Sequence, residues 1–140
     1  MELKMDAPAL EAFLAAEFPQ VGEDFAIEEV SAERLRVRLK VAERHLRPGG
    51  TVSGPSMFAL ADVSVYLAVL ARLGPVALAV TTNCAIDFMR KPANGVDLLC
   101  DCRILKLGRA LAVGDTLIYS EGDDRPVARA SLTYAIPPSR

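Results

Sequence analysis

One carboxylate, Asp62, interrupts the most apolar stretch of the chain, which runs from Pro55 to Ala71. Burying an isolated charge is costly unless it is paired, hydrogen-bonded or protonated. Asp62 is therefore either a structural group, on a solvated helix face or tied to a neighbouring strand, or a catalytic carboxylate in a mainly apolar pocket. Gly54 stands just before Pro55, where the N-terminus of the same helix would lie. That end carries unsatisfied N–H groups and about half an elementary charge, which suits a developing oxyanion. Pro55 has no N–H, so Gly54 is the natural donor. The plainer alternative is that Gly54 only lets the chain turn into the helix.

Other catalytic templates fit poorly. Gly54-Pro55-Ser56-Met57-Phe58 is no nucleophile elbow, because Phe58 stands where a second glycine is required. The single histidine, His45, lies in the polar run Glu43-Arg44-His45 and reads as exposed. Nothing supports a Ser-His-Asp triad. Cys84, Cys100 and Cys102 read as strand residues with apolar roles. Their odd number implies no disulfide framework and suggests a reducing compartment. Cys100-x-Cys102 lacks a second Cys/His pair at metal spacing, so no metal site is expected. Neither a Walker A nor a G-x-G-x-x-G element is present.

The elements that would position Asp62 and Gly54 can be read from periodicity. Pro8 to Phe18 carries Leu10, Phe13, Leu14 and Phe18 at helical spacing, with Asp6 as cap and Pro19 as stop. Phe25 to Val30 suits a short strand. Leu35 to Val41 alternates strictly, with Arg36, Arg38 and Lys40 on the solvent side. Arg47 to Pro55 is a Gly/Pro loop. The spacing predicts a long helix of about 18–19 residues from Pro55 to the Gly74-Pro75 stop, apolar nearly all round and hence buried. Ser64 in it reads as a core hydroxyl bonded to its own helix, and Met57, Phe58 and Tyr66 as core. Four strand-like runs follow: Val76 to Met89, Val96 to Leu107, Ala110 to Ser120 and Pro126 to Ile136. The order predicts an α+β domain with one central helix against a curved antiparallel sheet. No βαβ alternation is present.

Composition narrows the function classes. With 140 residues, one domain spanning 1–140 is expected, with an N-terminal helix in 1–20 and a core in 25–140. Hydrophobic residues are 51% and charged residues 24%, which excludes disorder. A net charge of −2 and 6% aromatics give no nucleic-acid footprint. The N-terminus has no signal-peptide pattern. The apolar stretch is shorter than the roughly 20 residues of a span and has Asp62 at its centre, so no membrane is expected. These features predict a cytoplasmic protein.

The residues carry a family resemblance. Thr51-Val52-Ser53-Gly54-Pro55 followed by Ala59-Leu60-Ala61-Asp62 resembles the hotdog-fold acyl-CoA thioesterases of the phenylacetate-pathway (PaaI) type. Their signature is N-x-x-G-T-x-H-G-G and then a helix with L-A-D. Ala79 to Asn83, Ile86 to Ala93, Lys106 to Arg109, and Val127-Ala128 with Thr133-Tyr134 resemble that family's strand pattern. The resemblance spans about residues 25–137. It implies a helix wrapped by five to six antiparallel strands, in an obligate homodimer or dimer of dimers. It further implies hydrolysis of acyl-CoA thioesters with no metal or organic cofactor. The family's carboxylate falls on Asp62 and its first glycine after the histidine on Gly54. In such dimers the two come from opposite subunits. Eight helical residues span roughly 12 Å, too far for both to touch one carbonyl from one chain.

There are departures. Ser53 replaces the family's histidine, Pro55 its second glycine, and Arg47 its upstream polar residue. Ser53 can cap or hydrogen-bond, and Arg47 can hold a carboxylate or phosphate. On this reading Asp62 is general base or nucleophile, and Thr82 or Asn83 orients the water or the carboxylate, edge packing being the plainer role of both. Arg90-Lys91 and Lys106 with Arg109 are candidates for CoA phosphates. Two other readings compete. A non-catalytic acyl-CoA or lipid-binding dimer would have no need of Asp62. Acyl dehydratases and hydratases resemble the chain around His45-x-x-Pro48-Gly49, but their carboxylate and histidine positions fall here on Ala59 and Leu67.

Overall fold

In the computed structural model, which describes residues 2–138, eleven residues Ala7–Glu17 form α1. The Asp6 carboxylate accepts the Ala9 N–H at 3.0 Å, and Leu10 and Leu14 face the core. Pro19 ends α1 and opens a four-residue turn, α2 (Pro19–Gly22), since proline suits a first helical position. Strands β1 (Phe25–Val30) and β2 (Leu35–Leu39) form an antiparallel pair. Alternation predicted β2 as far as Val41. It ends at Leu39 because the Val41 N–H turns to the Asp97 carboxylate at 2.9 Å.

Arg36 and Arg38 of β2 do more than face water. Arg36 makes a two-pronged bond to Asp101 at 2.7 and 2.9 Å, and Arg38 reaches Glu28, Asp97 and Glu121. Planar guanidinium groups thus tie β2 to its two neighbours and to the turn after β5.

Helix α3 (Gly54–Leu73) begins under the Ser53 cap, whose hydroxyl accepts the Ser56 N–H at 3.2 Å. Gly74 stops it at φ +94°, a conformation in which a β-carbon is strained. The helix has 20 residues, so by length and composition alone it could cross a membrane. The expectation of a shorter stretch is corrected here. Packing assigns it to the core instead, because 67% of its most apolar 18-residue window is buried. Leu60, Leu67 and Leu70 are fully buried, each contributing about 1.5–3 kcal/mol relative to exposure. Ser64 donates to the Leu60 carbonyl at 2.7 Å, satisfying its hydroxyl within the helix. Met57 and Tyr66 are core as expected; Phe58 is 38% exposed and is not.

Strands β3 (Val80–Phe88), β4 (Leu98–Leu107), β5 (Leu111–Ser120) and β6 (Ala128–Ala135) complete one six-stranded sheet in the order β1-β2-β4-β5-β6-β3. Every pairing is antiparallel. Cys100 and Cys102 point into the core from β4. The sheet wraps α3, giving the hotdog arrangement that the resemblance implied. One strand is left at each edge of the sheet, β1 on one side and β3 on the other.

Candidate functional site

Asp62 sits midway along α3, half-buried, facing β3 and β6. Its Oδ1 accepts two hydroxyls, from Thr81 at 2.5 Å and from Tyr134 at 2.9 Å. Among the described residues no donor reaches Oδ2. The group opens on a cleft of about 450 Å³ lined by Asp62, Thr81, Tyr134, Tyr66, Phe18 and Val80, with further residues of 17–20 and 77–79. Burial, then the charge of Asp62, push the Tyr134 phenol above its ordinary range, so it stays a proton donor. Tyr66 is likewise raised by burial and donates to the Ala77 carbonyl at 3.0 Å. Its ring lies 6.2 Å from Phe18, edge to face, and 6.1 Å from Tyr134.

Thr81 takes the place the sequence reading gave to Thr82 or Asn83. A bulge in β3 between Thr81 and Asn83 changes which residues face inward. Thr82 donates to the Thr133 carbonyl at 3.3 Å, and Thr82 and Asn83 are exposed. Neither touches Asp62. No local pattern reveals the bulge, and Tyr134 read only as part of a strand. An inward hydroxyl on each of the two strands beside Asp62 was the available signal.

Gly54 lies elsewhere in the same chain. It is the first residue of α3, where no intrahelical acceptor exists for its N–H. Its φ is not positive, so turning is not what requires glycine. The requirement is a close approach: a β-carbon would come 3.3 Å from Cζ of Phe88. Ser53 caps this end, and exposed Arg47 shapes the preceding loop through main-chain bonds to Thr51 and Gly50. None of Arg47, Ser53 or Gly54 lines the Asp62 cleft. The two ends of β3 thus lie beside different groups: Thr81 beside Asp62, and Phe88 beside Gly54.

The basic candidates divide the same way. Arg90 and Lys91 are exposed just beyond Phe88, with the Arg90 N–H on the Val127 carbonyl at 3.1 Å. Lys106 and Arg109 are exposed near the β4–β5 turn, at the sheet end where Ala112 pairs with Tyr134 and Tyr134 with Thr81.

His45 is buried, contrary to its polar surroundings in sequence, because a 3-10 turn over Glu43–His45 folds the ring inward. Its Nδ1 accepts the Ala42 N–H at 2.9 Å, and its Nε2 is 3.2 Å from Asp24 Oδ2. It is absent from the Asp62 cleft, so the histidine–carboxylate meeting that a dehydratase or hydratase needs does not form within the chain. No cluster of metal-ligating side chains occurs among the described residues.

Residues 49–127, more than half the chain and including both Gly54 and Asp62, match the family model of the thioesterase superfamily. The chain belongs to the thioesterase superfamily. This thioesterase is a thioester hydrolase of hotdog fold. It is 32% identical over 104 residues to a "putative esterase" of Pseudomonas aeruginosa, covering 74% of this chain and 76% of that one. A crystal structure of a "putative thioesterase" from Silicibacter sp. TM1040 superposes with a TM-score of 0.92 at 62% identity, covering 99% of this chain and 96% of that one. A mutant of the phenylacetic acid degradation protein PaaI from Thermus thermophilus superposes at 0.72 with 25% identity, over 85% of this thioesterase and 99% of that chain.

Proposed function

We propose that this thioesterase hydrolyses acyl-CoA thioesters in sites shared between two copies. Asp62 of one copy activates water, or attacks directly, while the Gly54 N–H of the other holds the carbonyl oxygen. Thr81, rather than Thr82 or Asn83, orients the carboxylate. Arg90, Lys91 and Arg109 are the candidates for CoA phosphates, and Ser53 and Arg47 hold the loop that presents Gly54.

The observation that carries this reading is the separation of the half-sites along β3. This edge strand leaves Val80 56% and Phe88 52% exposed, with Leu78 and Met89 beside them. Antiparallel pairing of β3 with a second β3 sets the Phe88 end of one copy against the Thr81 end of the other. Gly54 then approaches the partner's Asp62, and the Arg90-Lys91 end approaches the end that carries Arg109. A two-fold operator makes both sites at once. A dimer, alone or paired into a tetramer, is therefore part of the proposal, as is action in the cytoplasm.

Free-thiol release from a panel of aromatic and aliphatic acyl-CoAs tests the chemistry. Asp62→Asn should lose about 10²-fold or more with the dimer intact. Mixed dimers test the sharing. Asp62→Asn and Gly54→Pro chains, each inactive alone, should regain up to about a quarter of wild-type activity when co-refolded, since one site of each mixed dimer is whole. No recovery on mixing would show that the two groups do not meet across subunits.

A further inference from the structure

Tyr134 is 3% exposed on β6, and its hydroxyl contacts both ends of one residue. It lies 2.9 Å from Asp62 Oδ1 and 3.0 Å from the Asp62 main-chain oxygen. Packing alone would be served by phenylalanine. A buried phenol needs a polar partner, and this one finds two on the residue that opens the cleft. The carboxyl torsion of an aspartate is broad, so one donor on one oxygen leaves its plane free to swing. Thr81 supplies that one donor from the edge strand. Tyr134 supplies a second from β6, its single proton shared between Oδ1 and the main-chain oxygen of the same residue. Its ring is in turn braced 6.1 Å from Tyr66.

We infer that Tyr134 is a positioning residue: it pins Oδ1 of Asp62 so that Oδ2 is the oxygen presented to the water or the thioester. The phenol is not the base, because burial and the neighbouring Asp62 charge raise it above its ordinary range. The inference rests on the reading of Asp62 as the reacting carboxylate.

Kinetics of Tyr134→Phe, alone and combined with Asp62→Asn, test it. In the wild-type background kcat should fall about 10-fold or more, with KM within about twofold and the melting temperature measured in parallel. In the Asp62→Asn background the same substitution should change the residual rate less than about twofold, since the group it positions is gone. Equal losses in both backgrounds, an unchanged kcat, or a rise in KM alone would each overturn the assignment. Should Tyr134→Phe fail to fold, difluorotyrosine placed at 134 keeps the ring and makes the hydroxyl a stronger donor. It should shift kcat without KM, and no shift would overturn the inference. Wild-type rates in Asp62→Asn alone would instead remove the underlying reading of Asp62, whatever Tyr134→Phe does.

Discussion

Gly114 lies flat beneath Val65: a β-carbon at 114 would come 2.9 Å from both γ-methyls of that valine. At these two residues β5 presses directly on the central helix. Valine in a helix is held to one rotamer, so it cannot swing away. Gly114→Ala should therefore cost about 1–3 kcal/mol by overpacking. Adding Val65→Ala should recover part of that loss in a chemical-denaturation cycle. Additive losses would mean that the close approach is not what keeps residue 114 a glycine.

Thr81 and its neighbours offer a sharper test of the site. Thr81→Val removes a hydroxyl bonded to a carboxylate and should lower kcat about 10-fold or more. Thr82→Val and Asn83→Ala should stay within about threefold of wild type. The opposite ranking in thiol-release assays would place the inward face of β3 one residue further along.

Cys84 should report the charge of Asp62. Burial and then that charge push its thiol above the ordinary value. Asp62→Asn removes the charge, so the thiol moves back down, more thiolate exists at pH 8, and reaction with a disulfide reagent quickens. Cys100, pushed up to about 12 by burial, and Cys102, well above its ordinary value for the same reason, should react only on unfolding. Slower labelling of Cys84 in the variant would contradict the electrostatic link.

Asp24 should make stability depend on acid. Burial opposes its ionisation, but hydrogen bonds from Arg44 and His45 outweigh it, and the carboxyl titrates below its ordinary value. A lowered folded value means the stabilisation is complete above the unfolded pKa of about 3.9 and is lost as pH falls through the folded one. Asp24→Asn should thus be less stable than wild type at pH 7, and the gap should close below about pH 4. A constant gap across that range would show that the ion pairs contribute nothing.

Elements with regular periodicity are legible in the amino-acid sequence. The alternating strand from Leu35, the capped and stopped helix around Asp62, and the four later strands all appear, although the strand predicted to Val41 ends at Leu39 and the one predicted from Val76 begins at Val80. Asp62 stood out because one charge in an apolar run is costly and needs a reason. Gly54 stood out because the helix start is a chemical feature of sequence order. Their separation by about 12 Å along one helix is too great for both to touch one carbonyl from one chain.

What escaped the sequence depends on contacts between segments far apart in it. The bulge that turns Thr81 inward exists only because β3 pairs with β6. Tyr134 is 72 residues from Asp62 and meets it through the same pairing. His45 is buried because its ring meets Asp24, not because of its polar neighbours in sequence. Phe58 stays at the surface although its helix is apolar nearly all round, since the sheet covers only part of that helix. Local pattern determined the elements and the two chemical groups, because caps, periodicity and an isolated charge act within a few residues. Tertiary packing alone decided which hydroxyls hold the carboxylate and which end of β3 lies beside Asp62 and which beside Gly54, because register and bulges are set between strands.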